Sequence, residues 1–238
     1  GGALFFELCE RNLISTRFIS DLNPELIELY SYIKNSPELI IESIKNLEYH
    51  NEKESYYNAR NEFNTTSDPL KKVSLLIYLN RHCFNGLYRV NSSGGFNVPY
   101  GKYKNPHLPE SDIIYELSKA LQDTSIRCID FERAMLDVQE NDLVYLDPPY
   151  HPLSDTSFFT SYNSSGFGEA DQRRLLSTFK AIDSKGALVI LSDSDSPFIR
   201  DLYSEFHMKS VGASRYINSD KAGRKGASEL LISNLSSA

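Results

Sequence analysis

Residues 143–154 read LVYLDPPYHPLS. Leu143 to Leu146 have the length and composition of a buried strand. That strand must stop at Asp147, because the prolines at 148 and 149 cannot donate to a sheet ladder. A residue before proline is pushed to extended backbone, so Asp147 cannot open a helix. An acid is therefore held at the carboxyl end of a strand, followed by a stiff turn tipped by the Tyr150 ring. In open α/β sheets, that edge is where ligands bind. The plain alternative is a strand end with an ordinary turn.

The same design recurs outward from this stretch. RFISDLN (17–23), SIRCID (125–130) and GALVILSD (186–193) read as strands, and two or three more end at ELLISNL. Apolar spacing predicts helices over 3–12, 24–34, 37–48, 53–62, 69–82, 110–122, 169–184 and 197–205. Residues 88–101, with Asn, Ser, Gly-Gly and Pro among β-type residues, read as a hairpin or ordered loop. Strands alternating with helices predict an α/β fold with a doubly wound, mostly parallel sheet. The long helical and loop stretch at 24–109 interrupts that rhythm and reads as an inserted, mainly helical subdomain. Residues 1–23 and 110–238 then make up the main domain.

The chain has 238 residues and a net charge of −7. Cys9, Cys83 and Cys128 form no CxxC pair, which points to a reducing, cytoplasmic setting without disulfides or zinc. The five histidines show no ligand spacing, so no metal site is expected. No apolar run approaches membrane-spanning length, and no signal peptide is visible. The acidic total hides two basic stretches. Residues 81–104 hold Arg81, Arg89, Lys102 and Lys104 and no acid; residues 209–227 hold five basic residues against one acid. The net charge argues mildly against nucleic acid, and each stretch alone reads as a solvated loop, but together they suggest one basic face. The chain opens GGALFFEL, without an initiator Met, and reads as a fragment whose first strand is missing.

Asp21, Asp130 and Asp147 all sit at expected strand ends, so their carboxylates can converge on one cleft. Gly1 and Gly2 open a helix, and Asp21 lies 19 positions after Gly2. A glycine turn with an acid about 20 residues on is a nucleoside-binding pattern. The alternative is a helix start plus an acid capping the helix at Pro24. Asp193 and Asp195 in LSDSDSPF are read as caps for the helix at Pro197.

With these pieces placed, the sequence resembles the Dam-type (D12 class) DNA adenine-N6 methyltransferases. The resemblance spans essentially the whole chain. It rests on GGALFFEL, ISDLNPELI, NGLYRVNSSGGFNVPYGKYKNP, CIDFERAM, DPPYHPLSDTSFFTSY and GRKGASELLISN, in the family's order. It implies a Rossmann-like, S-adenosylmethionine-dependent enzyme acting on double-stranded DNA, prokaryotic or phage-encoded and monomeric. Gly1, Gly2 and Ala3 would be the remnant of the cofactor turn. Asp21 would hold the ribose, with Leu22 beside the adenine ring, and Asp130 and the Phe131 backbone at its edge. The family's preceding strand and lysine-containing, glycine-rich segment do not occur in this sequence.

The resemblance gives Asp147, Pro148, Pro149 and Tyr150 the catalytic role, with Asp147 also facing the cofactor. Adenine N6 is a poor nucleophile because its lone pair is delocalised into the ring. Acceptance of both N–H bonds, by the Asp147 carboxylate and the Pro148 carbonyl, favours a pyramidal nitrogen; proline's fixed φ holds that carbonyl still. In a duplex the base must be flipped out, and Tyr150 offers it a stacking face. The reaction needs no metal. Asn85, Leu87, Arg89, Asn91, Pro99, Lys102, Tyr103 and Lys104 fall on the family's target-recognition stretch. Arg89 suits guanine O6 and N7, Leu87 a thymine methyl, and the lysines phosphates. The implied target is GATC. Phe158, Phe159 and Tyr162 either close over the base or simply pack, and His151 receives no role. The competing readings are methylation of cytosine N4 or RNA adenine, and an inactive DNA-binding homologue.

Overall fold

The computed structural model describes residues 2–153, 166–212 and 228–235. The chain divides into two compact units, Gly1–Asp130 and Phe131–Ala238.

In the first unit, helix α1 (Ala3–Glu10) leads into strand β1 (Arg17–Asp21). Helices α2 (Pro24–Asn35), α3 (Pro37–Lys45), α4 (Lys53–Thr65) and α5 (Pro69–His82) follow. Helix α6 (Ser111–Leu121) and strand β2 (Thr124–Cys128) complete it. The starts of α2 and α5 are local chemistry. Asn23 accepts from Leu26 N at 3.1 Å and Asp68 from Lys71 N at 3.2 Å, each followed by a first-turn proline. Ile27, Tyr30 and Ile33 then recur on one face of α2 and are buried. β1 and β2 pair in parallel, Arg17 opposite Thr124 through Asp21 opposite Cys128. One apolar cluster gathers Tyr30, Ile33, Ile40, Ile44, Val73, Ile114 and Leu121, with Ile19 and Ile126 packed against it. A second, around Tyr56, Phe63, Leu75, Leu79, Phe96 and Val98, joins α4 and α5 to the loop after them.

The second unit begins with a short helix, α7 (Phe131–Ala134), and continues with β3 (Leu143–Leu146), α8 (Glu169–Ser184), β4 (Leu188–Ser194) and α9 (Pro197–Leu202). Strands β5 (His207–Gly212) and β6 (Ser228–Ser233) end it. The sheet order is β3-β4-β6-β5. β3 and β4 are parallel, whereas β6 runs antiparallel to both β4 and β5.

The α/β class holds; among the described residues the β1–β2 pair is parallel, and the four-stranded sheet is mixed rather than mostly parallel. Parallel pairing requires a crossover long enough to hold a helix; antiparallel pairing does not, and the pattern predicts no helix between β5 and β6. Helices α5 and α8 fall where their spacing predicts. Those expected at 37–48 and 197–205 are shorter, and α7 was not expected. β2 ends at Cys128, so Asp130 lies two residues beyond its strand rather than at its tip.

Candidate active site

β3 shows the alternation of a strand with two unlike faces. Val144 and Leu146 pack on the apolar cluster formed by Leu175, Phe179, Val189, Leu191, Leu230 and Ile232. Leu143, Tyr145 and Asp147 take the opposite face, and Asp147 is exposed. The register continues from Leu146 opposite Leu191, which brings Ser192 beside Asp147. Ser192 Oγ donates to Asp147 Oδ1 at 3.1 Å, and the Tyr145 hydroxyl donates to Ser192 Oγ at 3.0 Å. The Tyr150 hydroxyl lies 3.4 Å from Glu229 Oε2 on β6, to which it donates. Burial pushes the Tyr150 phenol up to about 12, a contact with the Ser192 hydroxyl pulls the other way, and the Asp147 and Glu229 charges add to the rise. Tyr150 therefore stays a neutral ring with an anchored hydroxyl.

The other face of β4 holds the far end of this turn. Asp193 is 0% exposed, on the core side of the sheet. Its Oδ1 accepts from His151 N at 2.8 Å and Ser194 N at 2.6 Å, and its Oδ2 from Gln172 Nε2 at 2.8 Å. Burial raises its carboxyl pKa, against the pull of those bonds. The His151 ring stacks on Phe198 at 4.6 Å and shares a 3.3 Å hydrogen bond with Ser196 Oγ. Residues 147–151 are thus held at both ends by consecutive residues of one strand. The capping expected of Asp193 and Asp195 is done instead by Ser196, whose Oγ accepts from Ile199 N at 3.3 Å. Pro197 fixes the first helical position, so the residue before it is the cap. Asp195 instead binds Arg200, Ser210 and Ser228, which holds its carboxyl near 2.

In the first unit, Gly2 opens α1 with φ 89°, a left-handed conformation that favours glycine. A Cβ there would lie 2.6 Å from the Tyr30 hydroxyl. Asp21 ends β1, and its Oδ1 accepts from Asn23 N at 2.7 Å. Burial raises the Tyr30 phenol, and the nearby Asp21 charge adds to it. Gly2, Asp21 and Tyr30 therefore lie together at the carboxyl edge of the β1–β2 sheet, with Leu22 51% exposed beside them. Ala3 is the first residue of α1, and Asp130 and Phe131 follow β2, Phe131 opening α7. Gly1 lies outside the described residues, as do Phe158, Phe159, Tyr162 and the basic stretch after Gly212.

The stretch 84–104 is an ordered loop clamped to helices. Val90 and Phe96 form an antiparallel bridge, as do Cys83 and Tyr100. Asn91 holds the hairpin tip: its Oδ1 accepts from Ser93 N at 3.0 Å and Gly95 N at 2.9 Å. The Asn64 side chain on α4 pairs with both backbone groups of Phe96, accepting at 2.8 Å and donating at 3.1 Å, as a strand neighbour would. The Tyr56 hydroxyl and Arg60 bind Val98 O at 2.8 and 3.1 Å. Arg89 Nε donates to Asn97 Oδ1 at 2.6 Å and Nη2 to Asn97 O at 3.3 Å. Asn85 has φ 55°, and its N–H donates to the Tyr103 hydroxyl at 2.9 Å. Pro99 O accepts from Phe84 N at 2.8 Å, and Leu87 is half-buried against the α4–α5 cluster. Lys102, with φ 57°, and Lys104 are exposed. The residues holding this stretch, Tyr56, Asn64 and Asn97, carry no local sequence signal.

The sequence model of the D12 class N6 adenine-specific DNA methyltransferases matches residues 1–217. The chain belongs to that family. This methyltransferase is 41% identical over 240 residues to the type II methyltransferase M1.LlaDCHI of Lactococcus lactis subsp. cremoris, covering 98% of this chain and 83% of that one. The type II methyltransferase M.MjaIII of Methanocaldococcus jannaschii is also 41% identical, over 246 residues, with 98% and 85% covered. A DNA adenine methylase of Vibrio cholerae is 38% identical over 216 residues, with 90% and 78% covered. The enzyme is an adenine-specific DNA methyltransferase, with DNA as its substrate. Among the described residues, no helix is long and apolar enough to cross a membrane, and no group of three or more His, Cys, Asp or Glu could hold a metal ion.

Proposed function

We propose that this methyltransferase moves a methyl group from S-adenosylmethionine to adenine N6 at GATC in duplex DNA, on a base flipped out of the helix. The observation that carries the reading is the Asp147 carboxylate, exposed at the end of β3 and fixed by Ser192, two positions before Pro149 and three before the anchored Tyr150. Asp147 and the Pro148 carbonyl accept hydrogen bonds from the two N6 N–H groups and hold the amino group with its lone pair toward the incoming methyl. The Tyr150 ring stacks on the flipped base, and its neutral phenol suits an uncharged aromatic partner. Positioning accounts for much of the acceleration.

The residues present fit the cofactor. A left-handed glycine with no room for a side chain lets a ligand approach the backbone closely. Gly1, Gly2 and Ala3 would line that approach, Asp21 would accept the ribose hydroxyls, and Leu22 would cover the adenine. Asp130 and the Phe131 backbone would take the adenine edge. When bound, S-adenosylmethionine supplies a sulfonium methyl that an amine can attack directly. Residues 1–23 and 110–238 would form the Rossmann-like, doubly wound catalytic domain, and 24–109 the recognition subdomain. There Arg89 and Leu87 would read base edges, Asn85, Asn91, Pro99 and Tyr103 would shape the reading surface, and Lys102 and Lys104 would bind phosphates. The N6 adenine-specific family model and the relative named DNA adenine methylase support adenine over cytosine as the target.

The test is methyl transfer by the intact protein to a GATC duplex and to each single-base variant, with the modified nucleosides identified by mass spectrometry. N6-methyladenine confined to GATC is expected, and Asp147→Ala should abolish it. N4-methylcytosine, indifference to the site, or a tenth of the rate left in Asp147→Ala would overturn the reading.

A further inference from the structure

We infer that Ser192, oriented by Tyr145, is a positioning residue for Asp147; the inference rests on the catalytic reading of Asp147. The direction of the hydrogen bonds is forced. An ionised carboxylate only accepts, so across the 3.1 Å contact Ser192 must donate to Asp147 Oδ1. A serine hydroxyl has one proton, so across the 3.0 Å contact with Tyr145 it can only accept. The phenol proton therefore commits the serine proton to Asp147.

Ser192 is 2% exposed and sits on a central strand paired on both sides, so its oxygen is a fixed point. Tyr145 and Asp147 share one face of β3, two residues apart, and the strand geometry holds both at Ser192. The consequence is chemical. A carboxylate on a single bond can rotate; one with Oδ1 tethered cannot, and Oδ2 is left for the N6 proton. The orientation of the acceptor is thus set by the sheet before substrate arrives, which is the preorganisation that electrostatic catalysis requires.

The experiment compares Ser192→Ala, Tyr145→Phe, the double variant and Ser192→Thr with wild type in single-turnover methyl transfer to a GATC duplex. DNA affinity, S-adenosylhomocysteine affinity and thermal melting are measured alongside. Ser192→Ala should slow transfer roughly 10- to 100-fold, what a small misplacement of a catalytic group costs, with both affinities unchanged. Tyr145→Phe should slow it less, and the double variant should be no slower than Ser192→Ala, because Tyr145 acts only through Ser192. Ser192→Thr keeps the hydroxyl and should recover most of the rate. Should Ser192→Ala fail to fold, Tyr145→Phe carries the test, since its ring is 40% exposed and only the hydroxyl is removed. A wild-type rate in Tyr145→Phe and Ser192→Ala, or fully additive losses, overturns the inference. Asp147→Ala separates the two ideas. Activity in Asp147→Ala refutes the catalytic reading itself, whereas an inactive Asp147→Ala beside a fully active Ser192→Ala refutes the positioning role alone.

Discussion

Replacing Asp193 probes how the turn after β3 is held. Its carboxylate is fully buried and accepts three hydrogen bonds, from His151 N, Ser194 N and Gln172 Nε2. Asp193→Ala orphans three buried donors at about 1–3 kcal/mol each, so a loss of about 3–5 kcal/mol is expected after partial relief by water. For a chain of this size that lowers Tm by on the order of 10 °C. Asp193→Asn should behave differently. Its amide oxygen can serve both backbone donors, and its nitrogen would face Gln172 Nε2, two donors opposed. Gln172 Oε1, however, is buried with no partner among the described residues, so a flip of that amide turns an acceptor toward the new nitrogen. The expected cost is within about 1 kcal/mol. The variants also separate by pH. Burial raises the Asp193 carboxyl above its unfolded value near 3.9, so the folded chain binds that proton more tightly. The wild type therefore loses stability as pH rises from the unfolded value through the folded one, and is flat above; Asp193→Asn lacks this dependence. Urea denaturation at neutral pH, repeated toward pH 4, measures both effects. Asp193→Ala as stable as wild type, or Asp193→Asn as damaging as Asp193→Ala, would refute the reasoning.

Four further expectations concern the ligand-binding residues and the loop that carries some of them. Asp21→Ala should weaken S-adenosylhomocysteine binding by about 1.5–3 kcal/mol, the range for bonds to a charged group, and an unchanged calorimetric affinity would remove the ribose role. Arg89→Ala should cost about 1–3 kcal/mol on a GATC duplex and relax discrimination at one guanine. Lys104→Ala should weaken cognate and non-cognate duplexes alike and reduce the salt slope by about one; equal losses on all duplexes for Arg89→Ala would make it a phosphate contact. Gly101→Ala places a Cβ 2.6 Å from Cys83 O and 2.5 Å from the Tyr103 ring, so it should lower DNA affinity, read by fluorescence anisotropy, while leaving S-adenosylhomocysteine binding intact.

What was legible in the sequence is what local chemistry decides. Apolar spacing over 69–82 announced α5, and the prolines after Asp147 ended β3, because periodicity and missing donors act within a few residues. The acids of SDSDS misled for a local reason too: two carboxylates are plausible caps, but a proline at the first helical turn makes Ser196 the cap. Ser192 was illegible for a different reason. Its partners, Asp147 and Tyr145, are 45 and 47 positions away, joined only by the pairing of β3 with β4. Asn64 serving as a strand neighbour for Phe96 is hidden likewise, since a polar residue on a helix face ordinarily reads as solvated. The direction of β6 depended on which strands it joined, which periodicity does not encode.

The two faces of β4 also give the enzyme a parity. On β3 the odd positions, 145 and 147, look toward the chemistry; on β4 the even positions, 190, 192 and 194, do so, and Asp193 looks into the core. Loss of one residue early in β4 would exchange the sets, since a strand's side chains alternate strictly. Asp193 would then stand against Asp147, where two carboxylates together raise one pKa and take away the charge that accepts the amino proton. A serine would replace the buried acid beneath His151, and its single oxygen could not hold His151 N, Ser194 N and Gln172 together. A frame shift of one position, changing neither composition nor hydrophobicity to any degree, would disable the acceptor and loosen its loop at once. Outside Ser192 and Asp193, β4 can therefore drift in side chain more freely than in length.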